Sequence, residues 1–256
     1  MNDRSEPSAE PVDLSVVVLG YRSAAVLPSF IRSLVGHLER EVPSWEIVLV
    51  GNYVEGSGDP TPSVVRELAD ADPRIRPVVK AKEGMMGWDM TSGLEAATGK
   101  VIAVIDGDGQ MPEEDVVRVW RHLVDHDLDM AKTYREQRDD GAYRRTISYV
   151  FNRLFRVLFP GLRSRDVNSK PKILRRWVYD NLDLTSTGWF IDTEMMIQVR
   201  RMNVKLGEIP TVFRANEKRP SFVKPLAILE FVGNMIRYRI REFGGEARRR
   251  KGARRP

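Results

Sequence analysis

Three nearly continuous apolar runs mark the first half of the chain: LSVVVLG (14–20), WEIVLVG (45–51) and VIAVI (101–105). A strand with one wet face alternates apolar and polar residues. These runs do not, so each reads as a strand covered on both faces, as in a parallel sheet. Segments of helical spacing separate them. Leu27, Ile31, Leu34 and Leu38 recur every three or four residues over 24–39, Ser63 to Asp70 is helical, and a further helix is predicted over 113–126. IRPVVK (75–80) supplies a shorter strand, and a Gly-rich turn around Gly84 and Gly87 opens a helix ending at Gly99, read as its C-terminal cap. The alternation of strand and helix dictates an α/β fold, a mostly parallel sheet with helices on both faces. Leu128 to Tyr134 forms one more strand.

The strand 101–105 runs directly into Asp106 and Asp108. Open α/β sheets place ligands at the carboxyl ends of their strands, which is where these carboxylates fall. Gly107 and Gly109 let the backbone turn and approach a ligand. Two carboxylates and the Gln110 amide, with no cysteine nearby, suit Mg²⁺ or Mn²⁺ holding a diphosphate. The plainer alternative is a solvated turn.

Composition narrows the classes. The 256 residues are 42% hydrophobic, enough for a substantial core in one large domain. There is no cysteine, which excludes disulfides, thiolate metal sites and cysteine nucleophiles and fits a reducing compartment. Of the three histidines, His122 and His126 lie four apart on a predicted helix, without a surrounding zinc signature. Residues 1–12 read as a disordered leader, too polar for a signal peptide, and no run approaches the ~18 apolar residues of a membrane span. The net charge of +5 is concentrated in the basic tail 244–256, whose last nine residues, RRRKGARRP, carry six basic groups.

Two segments near the end are amphipathic. Residues 143–159 carry apolar side chains at 147, 150, 151, 154, 155 and 158 beside Arg144, Arg145, Arg153 and Arg156. Over 225–243, Leu229, Val232, Ile236, Ile240 and Phe243 share one face, with Arg237 and Arg241 opposite. Each can pack on the domain or lie on an anionic membrane surface.

In order and spacing, DGDGQMPEE, GMMGWDMTSGLEAATGK, TYREQR with RRTIS, RDVNSK, and GWFIDTEMM before KLGEIPTVF resemble family 2 glycosyltransferases of the GT-A fold, most closely the polyprenyl-phosphate (dolichyl-phosphate) sugar synthases. The resemblance covers about 13–225 and implies a Rossmann-like catalytic domain over 13–224, followed by the amphipathic helix. It implies that Asp106, Asp108 and Gln110 hold a metal and the donor diphosphate. Arg135, Arg144 and Ser148 then grip the acceptor phosphate, and Asp192 and Glu194 face the donor sugar or simply pair with an Arg. Asp166 and Asn168 order the acceptor loop, and Lys170 and Lys172 are further phosphate contacts. The implied partners are a nucleotide-diphosphate sugar, a polyprenyl phosphate and an anionic membrane surface, with peripheral attachment on the cytoplasmic face.

The chemistry agrees with that resemblance. A divalent cation opposes the charge that builds on a departing diphosphate. A lipid phosphate is already anionic and needs no general base, only orientation by a fork of donors such as Arg. In-line attack by such a nucleophile inverts the anomeric centre.

The base side departs from the family. Gly20-Tyr21-Arg22-Ser23 stands in place of Tyr-Asn-Glu. Gly51-Asn52-Tyr53 and Glu55-Gly56-Ser57 replace an Asp-Asp-Gly-Ser turn, and Asn216 to Ser221 replaces an Arg-x-x-Gly-x-Ser loop. Donor contacts therefore fall to Tyr21, Asn52, Glu55, Lys82, Lys218, Arg219 and Ser221.

Three other functions compete. A same-fold enzyme acting on a hydroxyl would need a base, for which Asp192 is the candidate. A nucleic-acid-binding protein would fit the charge, but no zinc-finger, helix-turn-helix or RNP signature interleaves the basic cluster, so no nucleic-acid partner is expected. A nucleotidyltransferase would show a Gly-rich basic loop after the first strand, where LGYRSAAVLP has a single Gly.

Overall fold

The computed structural model describes residues 11–138, 142–161, 164–214 and 225–243. The predicted donor contacts Lys218, Arg219 and Ser221, most of the leader and the basic tail lie outside the described residues. The elements run β1 (Leu14–Leu19), α1 (Leu27–Glu41), β2 (Trp45–Val50), α2 (Thr61–Ala71), β3 (Ile75–Val78), α3 (Met86–Ala96), β4 (Val101–Asp106) and α4 (Asp115–Asp125). They continue as β5 (Met130–Arg138), α5 (Ala142–Leu158), β6 (Lys172–Arg175), α6 (Arg176–Asp180), α7 (Ile191–Arg201), β7 (Leu206–Phe213) and α8 (Pro225–Phe243).

One seven-stranded sheet takes the order β3-β2-β1-β4-β6-β5-β7. It is parallel except for β6, which is antiparallel to both β4 and β5. The mostly parallel sheet expected from the apolar runs is thus present. From β1 the chain first builds outward to β3, then returns to place β4 on the other side of β1. That reversal opens a crevice at the carboxyl ends of β1 and β4, the usual ligand position in such sheets.

Strand alternation divides the core into two layers. Val16, Val18, Ile47, Leu49, Ala103 and Ile105 pack under α1, α2 and α4. Val17, Val48, Val50, Ile102 and Val104 face the opposite layer, shared with Met90, Phe155, Phe190, Met195, Met196 and Met235. Each of these buried side chains larger than alanine contributes ~1.5–3 kcal/mol through area removed from water.

Three local expectations are corrected. Helix α3 ends at Ala96, and Gly99 is not its cap. A Cβ at Gly99 would stand 2.7 Å from the Ser15 amide nitrogen, so this glycine allows the chain to pass close beside β1. On α8 the packed residues are Phe231, Val232, Met235 and Tyr238; of the predicted stripe Val232 packs, Ile236 and Ile240 remain 47% and 64% exposed, and the side chains of Leu229 and Phe243 lie outside the described residues. On α5, Phe151, Leu154 and Phe155 pack inward, while Val150 turns out to solvent.

Candidate active site

Asp106 is the last residue of β4 and is in register with Leu19 of β1. Two residues beyond Val104, it lies on the sheet face that α3 and α7 cover. Gly109 has φ +74°, a left-handed turn that a side chain disfavours. Within that turn the Gln110 amide donates to Asp108 Oδ1 at 3.1 Å, and the backbone carbonyl of Gln110 accepts from the Arg214 amide at 2.9 Å. Gly107 serves packing: a Cβ there would meet Val18 and Leu27 below 3.0 Å.

Among the described residues no three His, Cys, Asp or Glu side chains gather as a metal cluster. The oxygen donors available in this turn would be the Asp106 and Asp108 carboxylates and the Gln110 side-chain amide, all hard ligands. That set fits Mg²⁺ or Mn²⁺ held by one or two carboxylates, with substrate phosphates and water completing the shell.

A buried chain of charges continues from Asp106. The Lys170 ammonium lies 3.0 Å from Asp106 Oδ1 and 3.1 Å from Asp192 Oδ2, and Lys172 donates to the other Asp192 oxygen at 2.5 Å. Both lysines, expected as phosphate contacts, are buried. Their position follows from β6, whose Lys172 pairs with Val104 of β4 and with Lys132 of β5. Lys132 in turn pairs with Glu208 of β7 and donates to the Thr133 and Asp166 carbonyls and to Glu208.

Burial works against every charge in this row, and the partners decide the outcome. For Lys170, Asp106 and Asp192 together outweigh burial and hold its pKa above the ordinary lysine value. Lys172 has one carboxylate and two lysine neighbours, so burial prevails and pulls it down to about 8. Asp192 is held below the usual carboxylate range because its two lysines outweigh burial. The sequence offered an Arg as its partner; the structure supplies lysines. Glu194 is also enclosed, accepting from the Thr185 and Ser186 amides, the Thr185 hydroxyl and Tyr238. It fastens the loop before α7 to α8.

Three of the predicted donor residues on the base side, Tyr21, Asn52 and Lys82, gather around Asp89. The Asn52 amide donates to Asp89 at 3.0 Å, and its oxygen accepts from the Lys80 amide at 2.9 Å. Lys82 pairs with the same Asp89 and lies 4.1 Å from the centroid of the Tyr21 ring. Burial pushes the Asp89 carboxyl up, opposed by Lys82 and Asn52. Asn52 and Lys82 are thus engaged with the protein, whereas Glu55 lies exposed in the turn after β2. Beside the loops after β1 and β2, Arg22, Ala24, Ser57 and Asp59 line an open recess of about 320 Å³.

On the acceptor side, Asp166 grips Arg135 through two hydrogen bonds. Arg135 and Lys132 outweigh burial and hold the Asp166 carboxyl well below the usual range. Asn168 accepts from the Thr193 hydroxyl at 3.1 Å. Arg144 and Ser148 fall on the first turns of α5, and their side chains lie outside the described residues. Sequence reasoning missed Asp89, Lys132, Glu208 and Tyr238. A carboxylate inside the Gly- and Met-rich segment GMMGWDM was the one available signal for Asp89.

Comparison with known proteins agrees with this geometry. Glycosyltransferase AglD of Haloferax volcanii is 27% identical over 213 residues, 79% of this chain and 33% of AglD. Undecaprenyl-phosphate 4-deoxy-4-formamido-L-arabinose transferase of Salmonella paratyphi A is 28% identical over 142 residues, 55% of this chain and 42% of that protein. The chain spans less than half the length of either relative. Mannosyl-3-phosphoglycerate synthase from Rubrobacter xylanophilus shares the fold, with a TM-score of 0.71 at 17% identity, over 91% of this chain and 75% of that one. So does glucosyl-3-phosphoglycerate synthase from Mycobacterium tuberculosis in complex with Mn²⁺, UDP and phosphoglyceric acid, with a TM-score of 0.63 at 18% identity over 92% and 78%. The model of Glycosyl transferase family 2 matches residues 15–199, from β1 into α7. A match over most of the chain places the protein in glycosyl transferase family 2.

Proposed function

We propose that this protein is a glycosyltransferase that moves a hexosyl unit from a nucleotide-diphosphate sugar to a polyprenyl phosphate at a membrane surface, with inversion and with Mg²⁺ or Mn²⁺. The observation that carries the reading is the position of Asp106 and Asp108, at the carboxyl end of β4 where the strand order reverses. When bound there, the cation neutralises charge developing on the leaving diphosphate. Asp106, Asp108 and Gln110 would hold it, and Lys170 adds a fixed positive charge beside Asp106.

The state of Asp192 favours a phosphate acceptor over a hydroxyl. A general base needs an accessible oxygen and a pKa near the working pH. Asp192 is 2% exposed, and each of its carboxylate oxygens faces a lysine. An anionic phosphate needs no such base, only a fixed guanidinium, and Arg135 is held in place by Asp166. One matched relative bears on the acceptor class, being named as an undecaprenyl-phosphate 4-deoxy-4-formamido-L-arabinose transferase. Among the described residues no helix is long and apolar enough to cross a membrane. Contact with lipid is assigned instead to α5 and α8, which leave Tyr149, Val150, Val157, Ile236 and Ile240 exposed. The proposal includes attachment on the cytoplasmic face.

The test is a transfer assay with UDP- and GDP-sugars and a short polyprenyl phosphate, with Mn²⁺ or with EDTA. Metal-dependent formation of a lipid-phosphate sugar is the expected product. Transfer to a free hydroxyl at a higher rate, lost in Asp192→Asn, would replace this reading with the hydroxyl-acceptor one.

A further inference from the structure

We propose that Lys170 is a positioning residue that makes divalent-cation binding depend on the donor. It does so by occupying Asp106 until a diphosphate arrives. The inference rests on the reading of Asp106 and Asp108 as metal ligands.

Four observations carry it. The Lys170 ammonium lies 3.0 and 3.3 Å from the two oxygens of Asp106, so it faces the whole carboxylate rather than one corner. The side chain is 2% exposed, while that of Asp106 is 34% exposed, so the lysine covers Asp106 from within and leaves its outer side to solvent. A second carboxylate, Asp192, holds the ammonium from behind at 3.1 Å. Finally, Met86 Sδ at 3.3 Å closes the remaining side with a weak acceptor, so the two carboxylates are the strong partners among these contacts.

Like charges at short range in a poorly hydrated site repel strongly. A divalent ion approaching Asp106 therefore meets a carboxylate that is already neutralised, beside a cation that burial and Asp192 keep in place. The free enzyme binds the metal weakly. A nucleoside diphosphate brings new negative charge, enough for Asp106 to share two cations, and metal and nucleotide then bind together. Without Lys170, Asp106 and Asp108 regain their net charge and hold a metal alone. Asp192 keeps Lys172 as its partner in that variant, so its charge is not abandoned.

The experiment measures Mn²⁺ binding by calorimetry to the full chain and to Lys170→Met and Lys170→Arg, each alone and with UDP or GDP. Without nucleotide, Lys170→Met should bind Mn²⁺ about tenfold or more tightly than the wild type, and Lys170→Arg should stay as weak as the wild type. Adding Asp106→Asn to Lys170→Met should abolish the gain. Equal affinity of the wild type and Lys170→Met for Mn²⁺ alone overturns the proposal while leaving the metal site intact. Binding of Mn²⁺ to none of these proteins, with or without nucleotide, overturns the metal reading and this proposal with it. Should circular dichroism show Lys170→Met unfolded, the wild type decides. Mn²⁺ affinity unchanged by UDP or GDP overturns the proposal, and affinity that rises with one of them supports it.

Discussion

The guanidinium of Arg135 meets the carboxylate of Asp166 as a two-point fork, Nε to Oδ2 at 2.6 Å and Nη2 to Oδ1 at 2.8 Å. Side-chain exposure is 13% and 9%, so neither charge can turn to water if its partner is lost. Asp166→Asn should cost about 3–5 kcal/mol of stability, measured by urea unfolding. The pH dependence follows from the depressed carboxyl. Its stabilisation is present above the ordinary aspartate value of 3.8 and is lost as pH falls below it toward the folded-state value. The gap between wild type and Asp166→Asn should therefore be constant near neutrality and close only in strong acid.

Asp108→Asn removes a proposed metal oxygen without touching the lysine row. Transfer should fall roughly 100-fold or more, with the Mn²⁺ concentration for half-activity raised. A steady-state metal titration reads both effects. Unchanged metal dependence would assign Asp108 to the turn alone.

Glu194 accepts four hydrogen bonds that join the loop before α7 to α8, with Tyr238 among the donors. Tyr238→Phe should destabilise the protein by roughly 1.5–3 kcal/mol, since the lost bond is to a charged acceptor. Glu194→Gln should destabilise it as well. Hydrogen exchange should report the change first in residues 182–188 and in α8.

Ile236 and Ile240 project from the side of α8 opposite its packed residues. Replacing both by Asp should leave the melting temperature within a degree or two, because nothing buried is lost. Co-sedimentation with anionic vesicles should drop several-fold, with the residual binding sensitive to salt. Undiminished co-sedimentation would rule α8 out as the lipid contact.

Much of the first half was legible because burial on both faces writes itself as a nearly continuous apolar run. β1, β2 and β4 bury nearly every residue, and helices α1 and α4 show clean stripes. The later elements hide for definite reasons. α7 is buried from Ile191 to Val199 all round, so no polar face marks its period. β7 carries Pro210, which reads as a breaker but is tolerated because this strand is at the sheet edge. β6 begins with a lysine whose burial depends on a partner twenty residues away. The site divides in the same way. Asp106 and Asp108 announce themselves by following a strand. The pairing of Lys170 with Asp106 spans 64 positions and exists only once the sheet has formed. The engagement of Asn52 and Lys82 by Asp89 is likewise a tertiary contact, spanning 37 and 7 residues.

The reversed direction of β6 has a consequence for tolerance to change. Lys172 faces the charged row and Ile173 the opposite apolar layer, while Leu174 returns to the first side. Sliding this short strand by one position would thrust an ammonium among Ala103 and Ile105 and present isoleucine to Asp192. An insertion or deletion between Asp166 and Lys172 would thus scramble the polarity of both layers at once, so the segment's length should be under tighter constraint than most loops of its size.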